Sequence, residues 1–382
     1  MTTQEQSELM ASDLPAEQRV CPHLRRETDD PAVRRIRTPA GDEAWLVSRH
    51  SEVRDLLRDG RLGRSHPSPG DRAQYCGDPA FDSVLFDDHQ TADQMHRQWR
   101  KIIPPQFGAS RMRAMQPRID QFVGEAIDAL LAEGPPAKLR SEFTQPLARR
   151  IIGELLGVPD SEAEEAAEFM RRGSEGDIGG LFGYLSRLVT AKRANPDNSL
   201  ASAILDDVIT DPQATSLLLV VQIGGLGPLA KKVDYLLLLL AEHPEERAAI
   251  TADPSLIPGA IEELLRLAGN VSLPRYARED IEIGGVTIRA DDLVLLDMTK
   301  ANYDGLVFEE PTRLDITRTP NRHMTFGSGP WSCAGAPLAR RILTTLFEAL
   351  LTRVPTLRPV EPITGVRGPL SEGLPAEVEF TW

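Results

Sequence analysis

Residues 326–341 read FGSGPWSCAGAPLARR, from Phe326 to Arg341, and this stretch decides the fold. Gly327, Gly329 and Gly335 permit backbone conformations and close approaches that side chains would block, and Pro337 opens a strongly helical run, Leu338 to Leu351. Cys333 therefore belongs to a tight loop just before a helix N-terminus. There the helix dipole and unsatisfied backbone N–H groups favour a thiolate, the form that ligates a soft or borderline metal. The competing reading is a buried structural cysteine in a turn, and the glycine spacing counts against it.

Away from this loop helical periodicity dominates. Residues 117–133 place Ile119, Phe122, Val123, Ile127 and Leu130 at spacings of three and four, with Pro117 suited to a first turn. Similar patterns cover Leu147 to Leu156 and Leu181 to Ala191, the second after a joint at Gly176, Gly179 and Gly180 that reads as a surface loop. The most apolar segment starts at an Asp211 cap followed by Pro212 and stops at His243-Pro244, a helix of about 31 residues and about 46 Å at 1.5 Å per residue. Lys231, Lys232 and Asp234 at its centre argue against a membrane span and for a core helix of a soluble protein. Strand signals are confined to Glu43–Val47, to Arg278–Leu296 with a hairpin turn at Gly284-Gly285, and to the final PAEVEFTW. No repeat or biased linker interrupts the chain, so residues 1–382 read as one domain, mainly α with a small β portion.

The 382 residues carry 43 basic and 57 acidic side chains, a formal charge of −14, with 41% hydrophobic residues. That is a globular composition, which excludes collagen-like and disordered classes and repels nucleic-acid backbones. Cys21, Cys76 and Cys333 are too few for a disulfide framework or a zinc knuckle and fit a reduced compartment. The first twenty residues are polar and acidic and lack an apolar stretch of signal-peptide length, so the expected location is the cytoplasm, with no membrane and no nucleic acid as partner.

The pattern FGxGxxxCxG followed by Ala-Pro-Leu-Ala-Arg resembles the cysteine-ligand loop of the cytochrome P450 superfamily. Further marks in the family's order carry the resemblance from about Pro39 to Trp382. It implies the P450 fold with the long central helix over the haem, and a b-type haem (heme b) whose iron is ligated by the Cys333 thiolate, with Phe326, Gly327, Trp331 and Gly335 beside that ligand. In IEELLRL, Glu263 and Arg266 stand one turn apart and resemble the ExxR pair, with Arg313 of FEEPTRLD implied as the third member of a buried network. His96 and Arg100 of HRQWR, Arg275 of LPRYARED and His323 of PNRHMTFG match haem-propionate contacts, where positive donors suit carboxylates. Taken singly, each of these would be an ordinary solvated group; in register with Cys333 they are read together.

Two positions depart from the family. Trp331 stands where a basic residue, often His, is usual, so indole packing or its N–H replaces one propionate contact. In the long helix, counting back from His243-Pro244, the acid and Thr of the oxygen-activation motif correspond to Gly227 and Pro228, which offer no side chain to relay a proton. Proline inside a helix removes an N–H, at a cost of about 3 kcal/mol, and frees the carbonyl four residues back, here that of Gly224. The expectation is that Pro228 opens the helix and that the Gly224 carbonyl, with water or a substrate group, substitutes for the relay. Lys231 and Lys232 are expected to snorkel or to pair with acids.

By the resemblance, substrate is lined by the long helix near Gln222, by Asn270, Val271, Ser272 and Leu273, by the loop from Arg64 to Phe86, and by the turn at Ser371. These polar groups favour a natural-product intermediate over a hydrocarbon, and the stretch from Pro159 to Lys192, short for the family's two roof helices, would admit a bulky or peptide substrate. The implied reaction is a monooxygenation or an oxidative aromatic coupling, with dioxygen and with electrons from a ferredoxin and its ferredoxin reductase. Arg97, Lys101, Arg111, Arg113, Arg322, Arg340 and Arg341 would form the docking patch on an acidic protein. Two other readings stay open: a P450-like accessory protein that activates or scaffolds a partner enzyme, and a peroxide-driven haem enzyme.

Overall fold

The computed structural model describes residues 31–38, 40–75, 92–205, 209–268, 272–361 and 377–382. Cys21, Cys76, Asn270, Val271 and Ser371 lie outside the described residues, as do Pro39 and the later part of the Arg64–Phe86 loop. The helices are α1 (His50–Arg58), α2 (Ala92–Ile102), α3 (Ala109–Glu133), α4 (Gln145–Leu156), α5 (Ala163–Ser174), α6 (Ile178–Ala194), α7 (Leu200–Ala203), α8 (Asp211–Ala241), α9 (Pro244–Ala252), α10 (Ile257–Leu267), α11 (Met298–Asn302) and α12 (Ala336–Arg353). The strands are β1 (Val33–Arg37), β2 (Glu43–Val47), β3 (Leu62–Gly63), β4 (Ala137–Lys138), β5 (Leu273–Ala277), β6 (Ile281–Ile283), β7 (Val286–Ile288), β8 (Leu293–Leu296), β9 (Arg358–Pro359) and β10 (Glu379–Thr381). The chain is thus mainly helical with small sheets.

The described residues group into two compact units. The first comes from Met1–Gln94, Tyr235–Cys333 and Glu361–Ala376, and holds the five-stranded sheet ordered β1-β2-β8-β5-β3. Strand β2 runs parallel to β8, and the other neighbours are antiparallel. Alternation sorts the side chains: Val47, Val294 and Leu296 pack with Val53, Leu56 and Leu57 of α1, while Leu46, Leu293, Leu295 and Tyr276 form a second apolar cluster. The expected hairpin joins β6 to β7 through Gly284 and Gly285 at φ +59° and +79°, the pair of left-handed residues that a type I′ turn requires.

The second unit comes from Met95–Asp234, Ala334–Val360 and Glu377–Trp382, with the small sheet β4-β10-β9. Its α3 buries Ile119, Phe122, Val123 and Ile127 and packs against α4 and α12. This helix starts at Ala109, earlier than the periodicity from Pro117 suggested, because Met112 and Met115 extend the buried stripe. Pro117 is accommodated inside it: the carbonyl it leaves without a donor belongs to exposed Arg113, where water can serve it. The expected Gly-rich surface loop is also revised. Gly179 and Gly180 lie in the first turn of α6, capped by the Asp177 carboxylate accepting from Gly180 N–H at 2.9 Å, and Gly176 at φ +110° makes the tight turn from α5.

Helix α8 has the 31 residues expected of it, and by length and composition it could cross a membrane. Its interior contacts identify a core helix. Asp234 is 2% exposed and accepts from Arg140 Nε at 2.7 Å and Thr144 Oγ1 at 2.8 Å, and Leu236 to Leu240 are buried. Gly225 lets α8 approach α4, since a Cβ there would sit 2.7 Å from Ile152 Cδ1. Pro228 does not open the helix as expected; α8 continues through it, and the cost is confined to the hydrogen bond withheld from Gly224.

Candidate functional site

The Cys333 loop is built by three backbone devices. Gly327 takes φ +68° and donates its N–H to the Met324 carbonyl at 2.7 Å; Gly329 takes φ +71° where a Cβ would meet the Leu57 carbonyl at 2.9 Å. The left-handed φ favours glycine at both positions, and at Gly329 the backbone carbonyl also leaves no room for a side chain. A short 3₁₀ turn over Gly329–Trp331 follows, and Cys333 N–H closes the loop on the Phe326 carbonyl at 2.8 Å. The Cys333 side chain is exposed, which rules against a buried structural cysteine. The chain then passes Gly335, whose carbonyl accepts from Ala339 N–H at 2.9 Å, into α12.

Helix α10 carries a densely bonded group of buried charges. Glu263 and Arg266 of α10 are both fully buried, bonded through Nε to Oε2 at 2.8 Å and through an η nitrogen to Oε1 at 2.7 Å. Arg266 also donates to the carbonyls of Asn302 at 2.9 Å and Pro311 at 2.6 Å. The third member is Arg318, whose Nε reaches Glu263 Oε1 at 3.0 Å, and Asn321 adds a 3.0 Å bond to Oε2. This corrects the expectation for Arg313. Its side chain is exposed and pairs with Glu310, and it gives the network a backbone carbonyl alone. No local periodicity could have singled out Arg318; the loop that carries it is placed by tertiary contacts.

His323 is bonded within the protein through both ring nitrogens. Its Nδ1 accepts from Thr325 N–H at 3.2 Å, which leaves the hydrogen on Nε2, and Nε2 faces Glu262 Oε2 at 3.0 Å. Nδ1 thereby folds the loop on itself and Nε2 ties it to α10, so His323 braces the loop against that helix.

Arg275 has a different environment. It is 5% exposed, donates to the Pro274 carbonyl at 2.7 Å, and lies over the Trp331 ring at 5.6 Å from its centroid. Arg64 lies over the same ring at 5.3 Å, and its Nε is shut off from solvent. Burial and the neighbouring charge of Arg64 pull Arg275 down to about 9, and burial pulls Arg64 down to about 10. Two like charges set beside one another out of water repel, so this pair is suited to an anionic group. An exposed thiol at a helix entrance and buried paired cations are the donor set that an iron porphyrin with two carboxylates needs, and the residues present fit the expected haem.

In the second unit, His96 is buried and Arg100 half-buried one turn on along α2. On α8, Gly224, Gly227 and Pro228 share one exposed face, and a Cβ at either glycine would meet no atom within 4 Å. Gln222 is 2% exposed, and its Oε1 has no hydrogen-bond partner within the protein. Ser272 and Leu273 are half-buried at the start of β5 in the first unit. A cavity of about 450 Å³ in the second unit is lined by Gln116 of α3 and by Pro337, Arg340, Arg341, Thr344, Thr345 and Glu348 of α12. Arg341 donates to Gln116 there, while Arg97, Lys101 and Arg113 are exposed in the same unit.

A cytochrome P450 family profile matches residues 184–357. The chain is 34% identical to a pentalenolactone synthase from Streptomyces exfoliatus, over 93% of this chain and 94% of that one. It is also 34% identical to a mycinamicin IV hydroxylase/epoxidase from Micromonospora griseorubida, over 92% of each. Among solved structures, the substrate-free form of PimD, a pimaricin epoxidase acting on a polyene macrolide antibiotic, superposes with a TM-score of 0.87 at 41% identity, covering 95% of this chain and 96% of that one.

Proposed function

The chain belongs to the cytochrome P450 family, and from that premise we propose that it hydroxylates or epoxidises a bulky, partly polar natural-product intermediate. Haem, when bound, supplies the reductive activation of dioxygen. The observation that carries the reading is the exposed Cys333 thiol, held at the entrance to α12 by the Cys333 N–H to Phe326 carbonyl bond. Cys333 would ligate the iron, and Arg275, His96 and Arg100 would bind its carboxylates. The reading takes residues 1–382 as one functional domain in the cytoplasm.

Support for the substrate class comes from the relatives, a mycinamicin IV hydroxylase/epoxidase and an epoxidase of a polyene macrolide antibiotic among them, and from the α5–α6 pair, where twelve- and seventeen-residue helices meet at the single turn around Gly176. The unpartnered Gln222 Oε1 favours a substrate that carries a hydroxyl or amide donor, because a buried acceptor left unpaired costs about 1–3 kcal/mol. Oxidative coupling within a peptide would need the same site.

Gly227 and Pro228 replace the family's acid and alcohol, so no side chain at that turn of α8 can hold or move a proton. The Gly224 carbonyl, denied its helical donor by Pro228, accepts instead from water or from a substrate hydroxyl and positions that donor. Hydrogen-peroxide release measured with and without substrate tests this: substrate should suppress it, and equal release in both conditions would reject the substrate-assisted route. Electrons come from a ferredoxin docking at Arg340 and Arg341 with Arg97, Lys101 and Arg113, and Arg340→Gln with Arg341→Gln should slow reduction of the protein by ferredoxin several-fold and flatten its salt dependence.

The visible spectrum of the reduced protein under carbon monoxide decides the main claim. A thiolate-type Soret shift that Cys333→Ser abolishes is expected. A folded protein without that band would overturn the reading and favour a scaffold role, and turnover with peroxide but none with ferredoxin would favour a peroxide-driven enzyme.

A further inference from the structure

We propose that Arg64 is a haem-carboxylate ligand of this chain, filling the role of the basic side chain that Trp331 replaces, with the indole bracing Arg64 against Arg275. The inference rests on the haem reading given above.

The sheet register brings the two arginines together. Strand β3 pairs antiparallel with β5 through Leu62 opposite Ala277 and Gly63 opposite Tyr276, and one further step along that register sets Arg64 opposite Arg275. Directly opposed residues of an antiparallel pair project from the same face, where like charges repel. The register is locked on the far side. Arg278 N–H donates to the Arg61 carbonyl at 2.8 Å, and the Arg278 side chain fills the space a Cβ at Gly63 would need. A chain that builds two guanidiniums side by side in a buried place and holds them there has a use for their joint field.

Trp331 supplies the second element. It stands two residues before Cys333, in the 3₁₀ turn fixed by Gly329, and both guanidinium carbons lie within 5.6 Å of its ring centroid. An indole at this position cannot neutralise a carboxylate, yet it can orient two cations that do. The charge that leaves position 331 is returned by a residue 267 positions earlier in the chain, which only the β3–β5 pairing could deliver.

The test is haem retention, read as the rate of haem transfer from the purified holoenzyme to excess apomyoglobin. Arg64→Gln should transfer haem about tenfold faster or more, as expected for losing one charge-assisted hydrogen bond. Arg64→Lys should stay within about threefold of the parent, because the charge is kept. Adding Trp331→His to Arg64→Gln should recover most of the loss by restoring a basic group to the turn. If Arg64→Gln does not fold, Arg64→Met, which keeps the aliphatic packing and removes the charge, gives the same comparison with the same outcomes. Transfer from Arg64→Gln within twofold of the parent would overturn the proposal, as would Arg64→Lys releasing haem as fast as Arg64→Gln, or a loss of anionic-substrate binding with haem retention unchanged. A parent protein lacking the thiolate-type band would instead sink the haem reading itself.

Discussion

Arg266 and Arg275 are both buried cations of the same unit, and they meet the cost of burial in opposite ways. Arg266 is answered inside the chain by the Glu263 carboxylate, by the carbonyls of Asn302 and Pro311, and by the Tyr303 and Phe308 rings at 5.5 and 5.0 Å. Arg275 has the Pro274 carbonyl and the Trp331 ring, and the charge acting on it is that of Arg64. A buried charge answered by its own chain holds the fold together. A buried charge set against a like charge marks a place where an outside anion completes the arrangement.

The comparison breaks most sharply at Glu263. Glu263→Gln leaves Arg266 and Arg318 without their counter-charge and should cost about 3–5 kcal/mol, read as a lower urea midpoint. Asp234 gives an intermediate case, since it is paired with Arg140 yet burial still pushes its carboxyl up to about 6. The stabilisation from this group is present below the ordinary carboxyl value of 3.8 and is lost as pH rises through about 6. Stability should therefore fall by about 3 kcal/mol across that window, at roughly 1.4 kcal/mol per pH unit, and Asp234→Asn should flatten the profile. Arg275→Gln should act on the cofactor more than on the fold, raising haem transfer to apomyoglobin about tenfold. The smallest effect belongs to Arg313→Ala, within about 0.5 kcal/mol by urea unfolding, because its side chain is exposed.

Local patterns carried much of the chain. The apolar run and its caps set α8 at Asp211–Ala241, Gly284-Gly285 set the β6–β7 hairpin, and the glycine spacing around Cys333 marked a loop ahead of a helix. Each depends on periodicity, capping or a φ that few residues adopt, all written within a few residues of one another. The start of α3 escaped because Pro117 looks like a first-turn residue until Met112 and Met115 are seen buried. Gly179 and Gly180 likewise looked like a loop until Asp177 capped the helix they begin.

The sequence by itself determined the helical class, the long core helix and the cysteine loop, since each is specified by near neighbours. The tertiary structure decided which distant charges meet. Arg318 took the place expected of Arg313 beside Glu263 because the loop after α11 folds back on α10. His323 was spent on Glu262, and Arg64 was set beside Arg275 by strand register. A long, flexible arginine has no preferred partner until the backbone at both ends is fixed, so the pairing of buried charges is the last thing a sequence discloses.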